Sequence, residues 1–171
     1  TRRSSDLVQC TPQSPNCLFC PLSGSCRALS EGKVQQLPVK QHRTKTTNRY
    51  FNYIYVRMGA HTLIHKRTED DIWKNLFELP LVETEKDLSE EEFLACPQFH
   101  ALFAEGEVRM VRTLLRGVKH VLSHRVIYTN FYEVTLPDNS SSFSSYQRVA
   151  VEDLDRYAVP RLIHAFLEKY V

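Results

Sequence analysis

Glycine is scarce in this chain, five residues in 171, and neither a Gly-Lys-Ser/Thr nor a Gly-x-Gly-x-x-Gly spacing occurs. A glycine-rich phosphate cradle has nothing to be built from, so nucleotide-triphosphate and dinucleotide enzymes are excluded early. No apolar run approaches the roughly 20 residues needed to cross a bilayer. No apolar signal-peptide core follows Thr1-Arg2-Arg3-Ser4-Ser5, and the expectation is a soluble, cytoplasmic chain. What is present is ordinary for a globular protein: 42% hydrophobic and 25% charged residues, which exclude wholesale disorder, collagen-like sequence and a long coiled coil. The length favours one medium domain with a small appendage.

The formal net charge of +2 conceals a segregation. Residues 1–60 carry nine Lys/Arg against two Asp/Glu, residues 61–107 four against twelve, and residues 108–137 five against one. Two basic blocks flanking an acidic one fit a protein with a positive face turned to a polyanion, or a basic solvated linker.

Four of the five cysteines, Cys10, Cys17, Cys20 and Cys26, crowd into one stretch with x6, x2 and x5 spacing. Pro12, Pro15 and Pro21 exclude a regular helix and leave a series of turns on which four sulfurs can converge. In a reducing compartment four thiolates suit an iron-sulfur cluster or zinc. A zinc ribbon presents two separated Cys-x-x-Cys knuckles, and here there is one, so the iron-sulfur reading leads and zinc stands as the alternative. Cys96 reads as a plain half-buried thiol.

Residues 31–47, rich in Gln, Lys, Arg and Thr, read as a basic linker between a loop at 1–30 and a folded domain at 48–171. Within that domain, Tyr50–Met58 reads as a strand, Gly59-Ala60 as a turn and Thr62–Lys66 as the return strand of a hairpin. Ser89 with Glu92 reads as a capping box opening a helix through Phe93, Leu94 and Phe99. Arg125–Leu136 is the strongest strand, Asp138–Ser145 a flexible loop, and Pro160 opens a helix with Leu162, Ile163, Phe166, Leu167 and Tyr170 on one face. Isolated helices among strands give an α+β domain.

The x6-x2-x5 cysteine loop resembles the iron-sulfur loop of endonuclease III-type DNA glycosylases. Two later stretches, Arg67-Thr-Glu-Asp-Asp-Ile-Trp73-Lys-Asn-Leu-Phe77-Glu78-Leu79-Pro80 and Lys119-His120-Val121-Leu122-Ser123-His124, resemble MutY-type adenine DNA glycosylases. The C-terminal Nudix-like domain of that family carries a Trp-containing strand motif ending in Glu-Phe-Pro and a His-x-Phe-Ser-His loop. Leu79 and Leu122 stand where the family has Phe. The resemblance covers nearly the whole chain from Cys10 onward. It implies a Nudix-like mixed sheet with flanking helices, preceded by an irregular four-cysteine loop holding a 4Fe-4S cluster. The implied function is base-excision repair of adenine mispaired with 8-oxoguanine or guanine in double-stranded DNA.

By the same resemblance, His120, Leu122, Ser123 and His124 read the oxidised guanine. Guanine N7 accepts a hydrogen bond, whereas in the 8-oxo base N7 carries a proton and C8 a carbonyl. A serine hydroxyl can accept from that N7–H and donate to an oxygen. The catalytic carboxylates of the family lie on a helical domain before the cysteine loop, so no residue here takes their role. The chain is expected to excise nothing alone and to depend on that helical domain of the same protein. Arg27, Lys33, Lys40, Arg43, Lys45 and Arg49 are the candidate phosphate contacts. Trp73 and Phe77 read as packing residues rather than base-stacking platforms. The rival readings are a zinc-stabilised DNA-binding module with no enzymatic parent and a degenerate Nudix hydrolase. Against the latter, no Gly-x5-Glu-x7-Arg-Glu-x2-Glu-Glu-type box occurs, and Glu90-Glu91-Glu92 reads as the solvated first turn of a helix.

Overall fold

The computed structural model of the chain describes residue 10 and residues 14–37 and 46–171. Two compact units divide between Lys45 and Thr46. In the first unit the cysteine stretch is a succession of tight turns, 3-10 at Cys17–Phe19 and at Ser23–Ser25, followed by the single-turn helix α1 at Arg27–Ser30. Part of the expected linker, Val34–Gln36, is another 3-10 turn.

The second unit is built on a four-stranded sheet and a three-stranded one. The larger consists of β1 (Thr47–Arg57), β4 (Leu81–Thr84), β5 (Met110–Val121) and β6 (Arg125–Thr135), in the order β4-β1-β6-β5. The smaller places β2 (His61–Lys66) between β3 (Phe77–Glu78) and β7 (Gln147–Ala150). β1 runs parallel to β6 along its whole length, from Thr47 opposite Arg125 to Arg57 opposite Thr135, and antiparallel to β4. The expected hairpin of β1 and β2 does not form. The two strands share only a bridge between Met58 and His61 and then enter different sheets. The run Phe51–Val56 is buried on both faces, and a central strand needs a neighbour on each side, which β6 and β4 supply. Gly59 makes the departure possible: its φ of 57° is left-handed, and a Cβ there would meet Asp138 Oδ1 at 2.9 Å.

Alternate residues of β1 feed two cores. Phe51, Tyr53 and Tyr55 join Phe131 and the buried face of helix α4 (Arg161–Tyr170), namely Leu162, Ile163 and Phe166. Ile54 and Val56 join Tyr132, Val134 and the short helices α2 (Glu90–Leu94) and α3 (Pro97–His100) through Phe93 and Phe99. The capping box is present, with Ser89 and Glu92 bonded reciprocally. The single helix expected across Phe93 to Phe99 is instead two, because Pro97 at the start of α3 has no N–H to continue the first. Cys96 is half-buried against the second core.

Two further expectations are revised. The Trp-containing motif is a turn for most of its length, with Trp73 and Asn75 at φ 59° and 68°, and only Phe77–Glu78 is strand. The loop after Asp138 is tied down: the Glu107 carboxylate accepts hydrogen bonds from Ser140, Ser141 and Ser142.

Candidate nucleic-acid interface

The longest hairpin among the described residues, β5–β6, carries the family-like His120–His124 stretch at its tip. The turn is short, closed by the Leu122 N–H donating to the Arg125 carbonyl at 2.8 Å. Thr47 N–H donates to the His124 carbonyl at 3.1 Å, fixing the tip to the start of β1. Ser123 and His124 are exposed. Leu122 is half-buried and packs on the core that contains Phe51 and Phe131, so the residue replacing the family's Phe still anchors the turn. Leu79, the other departure, is 1% exposed in the same core.

His120, on β5 just before the tip, faces Trp73, with ring centroids 5.8 Å apart. Trp73 in turn meets the fully buried Phe51 edge-on at 6.1 Å. Phe77 makes an edge contact with Tyr157 at 5.0 Å, so both aromatics serve packing as expected.

Sequence reasoning missed the charge cluster beneath the tip. Asp71 accepts from Arg49 at 2.5 Å, from Arg67 at 3.2 Å and from Arg125. Burial alone would push the Asp71 carboxyl up, and the hydrogen bonds from Arg49 and Arg125 overcome it, holding the group well below the usual carboxylate range. Arg67 is itself anchored on the buried Glu78 by contacts of 2.9 and 2.7 Å, and Glu78 also accepts from the Tyr53 hydroxyl. Arg49 makes two further bonds to Glu83 and lies 4.8 Å above the Phe51 ring. The hydrogen bonds that Arg49 donates to the Glu83 carboxylate raise the Arg49 pKa, so its charge is permanent and internally compensated. Arg49 therefore differs from the described phosphate candidates Arg27 and Lys33, with a side chain only 18% exposed. Arg27 and Lys33 share Glu31, with side chains 89% and 53% exposed. Lys40, Arg43 and Lys45 lie outside the described residues. The signal available in the sequence was the facing of acidic and basic blocks, which says that arginines and carboxylates pair but not which.

Cys10, Cys17, Cys20 and Cys26 are all free thiols. Backbone hydrogen bonds from Cys20 to Cys17 and from Cys26 to Ser23 wind the loop tightly. The donor set suits a cluster, yet among the described residues no three His, Cys, Asp or Glu side chains stand together as a metal site. In the acidic run at 90–92, Glu92 caps the backbone of Ser89, the role of a first-turn carboxylate. No helix among the described residues is long and apolar enough to cross a membrane.

Comparison with known proteins bears on the family and the fold. Residues 52–169 match the NUDIX domain family. The adenine DNA glycosylase of Buchnera aphidicola from Acyrthosiphon pisum is 24% identical over 164 residues, covering 94% of this chain and 44% of that protein. The adenine DNA glycosylase of the Schizaphis graminum symbiont is 33% identical over 75 residues, covering 44% of this chain and 22% of that protein. The chain thus spans less than half the length of these relatives. Among solved structures, the C-terminal domain of mouse MUTYH, determined in complex with human PCNA, aligns with a TM-score of 0.54 at 15% identity, covering 71% of this chain and 86% of that chain. At that identity the likeness shows the fold alone, and it is the fold described above. On the extent of the match at 52–169 and on its mixed α+β sheet architecture, the chain belongs to the NUDIX domain family.

Proposed function

We propose that this chain serves base-excision DNA repair as the lesion-reading portion of an adenine DNA glycosylase, binding duplex DNA in which 8-oxoguanine is paired with adenine. The observation that carries this reading is the hairpin tip, where exposed Ser123 and His124 project from a turn anchored by Leu122 on a Nudix scaffold. A hydroxyl held there accepts from the N7–H of the oxidised base, which normal guanine lacks, and the discrimination is worth about 1–2 kcal/mol. His124 supplies a second polar group beside it, and His120 supports the tip from β5. The experiment is equilibrium binding of the purified chain to two duplexes differing only in 8-oxoguanine:adenine against guanine:adenine. Preference for the oxidised duplex is expected, and equal affinity overturns the reading.

On this proposal no residue of the chain acts on the glycosidic bond, and the chain alone excises no adenine; single-turnover release of adenine by the purified chain refutes that division of labour. Arg27, Lys33, Lys40, Arg43 and Lys45 contact phosphates. Arg49 contributes from within, through Asp71 and Glu83. The four thiols of Cys10, Cys17, Cys20 and Cys26 are proposed to hold a 4Fe-4S cluster, supported by their spacing and their freedom from disulfides. Such a loop closes as it takes up metal, because ligand gathering and folding are one process. Iron and acid-labile sulfide in anaerobically purified protein test it, and zinc in their place overturns it.

A further inference from the structure

The turn at residues 67–76 touches no base in the recognition just proposed, yet it grips the reading hairpin at two points. The first is ionic. Asp71 accepts from Arg125, the first residue of β6, whose backbone carbonyl also receives the hydrogen bond from Leu122 that closes the tip. Fixing the Arg125 side chain therefore fixes the residue on which the turn hangs. The second is aromatic: the Trp73 ring lies between His120 and Phe51, linking the hairpin's β5 side to the centre of the core.

The turn is stiff enough to act as a support. Arg67 N–H donates to the Leu76 carbonyl at 2.9 Å and Asn75 N–H to the Arg67 carbonyl at 2.8 Å, closing it on itself. The Arg67 guanidinium locks it internally by bonding the Ile72 carbonyl at 3.0 Å and Glu78 beneath. Trp73 adopts a left-handed φ of 59°, a conformation that a bulky side chain takes only where its surroundings impose it. The strained residue is the one whose ring reaches the hairpin. With Asp71 gone, Arg49 keeps Glu83 while Arg125 loses its carboxylate partner and would turn to solvent.

We propose that Asp71 and Trp73 are positioning residues for 8-oxoguanine discrimination, holding the hairpin tip so that Ser123 meets the lesion. The inference rests on the recognition reading above. A reading group needs its supporting shell to keep it within a fraction of an ångström, and this turn is that shell.

The test uses the 171-residue chain and its variants on the same two duplexes. Asp71→Asn keeps the shape and removes the charge; it is expected to reduce the preference for 8-oxoguanine:adenine about fivefold while guanine:adenine binding changes less than about twofold. Asp71→Glu is expected to restore part of the preference. A fold-only role would not couple to the serine, so the double variant Asp71→Asn/Ser123→Ala is decisive: no further loss beyond Ser123→Ala supports positioning, and multiplied losses overturn it. Should Asp71→Asn fail to fold, the wild-type chain supplies the answer, because Trp73 is its only tryptophan. Binding of the oxidised duplex shifts Trp73 emission more than the normal duplex does, and equal shifts overturn the proposal. If the wild-type chain shows no preference between duplexes, the recognition reading itself has failed. If it shows one that Asp71→Asn leaves intact, only the positioning role is lost.

Discussion

Phe166 of α4 lies flat on Phe131 of β6, with centroids 4.1 Å apart and planes 4° from parallel. The contact fastens the C-terminal helix to the strand that begins at the reading hairpin. Phe166 is 2% exposed and also meets Tyr55 and Tyr170, so Phe166→Ala opens a cavity where three rings converge. The expected loss is about 3–5 kcal/mol, read as a lowered urea midpoint. A change below about 1 kcal/mol would show that α4 contributes little to the domain.

Ser123 is exposed and no bond to the protein holds it in the described structure, so replacing it costs the fold little. Ser123→Ala is expected to keep the melting temperature and to lose about 1–2 kcal/mol of preference for 8-oxoguanine:adenine over guanine:adenine in paired binding titrations. Unchanged preference removes Ser123 from recognition.

Glu107 predicts an acid sensitivity of the loop following Asp138. Hydrogen bonds from Ser140 and then Ser142 hold its pKa at about 2, against an ordinary 4.5. A carboxyl depressed on folding contributes stability that is complete above its unfolded value and lost as pH falls through the folded one. The contribution therefore fades between 4.5 and about 2. Protection of the Ser141 and Ser142 amides, taken relative to their intrinsic exchange at each pH, should fall as pH is lowered over that interval in the wild type. In Glu107→Gln protection should be low throughout; equal protection in the two proteins would contradict the assignment.

The cysteines separate by position. Cys20→Ser is expected to abolish iron incorporation and visible absorbance, while Cys96→Ser, altering a thiol packed against the second core, is expected to retain both. Full iron content in Cys20→Ser would remove that residue from the ligand set.

Phosphate contacts announce themselves through salt. Lys33→Ala should weaken binding to both duplexes alike and lower the slope of log affinity against log salt by about 0.9. Arg49→Ala should act differently, eroding stability and lesion preference together, because its guanidinium holds Asp71 and Glu83. A preference that survives Arg49→Ala would mean that Arg125 stays in place without it.

Local chemistry was legible residue by residue. The Ser89/Glu92 capping box, the strand at Arg125–Thr135 and the apolar face of α4 all depend on neighbours within about four positions, and each appears where the pattern puts it. The β1–β2 hairpin misled because a turn signal at Gly59-Ala60 marks where the chain bends, not which strand it pairs with next. The expected helix through Phe99 contains Pro97, whose missing N–H ends one helix and opens the next.

The candidate site shows the same division. The tip residues His120, Leu122, Ser123 and His124 stand together in sequence, and the motif alone could find them. Their support could not be found that way, since Asp71 lies 54 positions from Arg125 and 22 from Arg49. Composition and local pattern determined the α+β character, the four-thiol loop and the polar tip, all of which follow from short-range sterics and hydrogen bonding. The parallel docking of β1 on β6 decided which carboxylate compensates which arginine, and which ring lies beneath His120. Burial compels every charge near the core to find a partner, but only the folded path of the chain brings a particular one within reach.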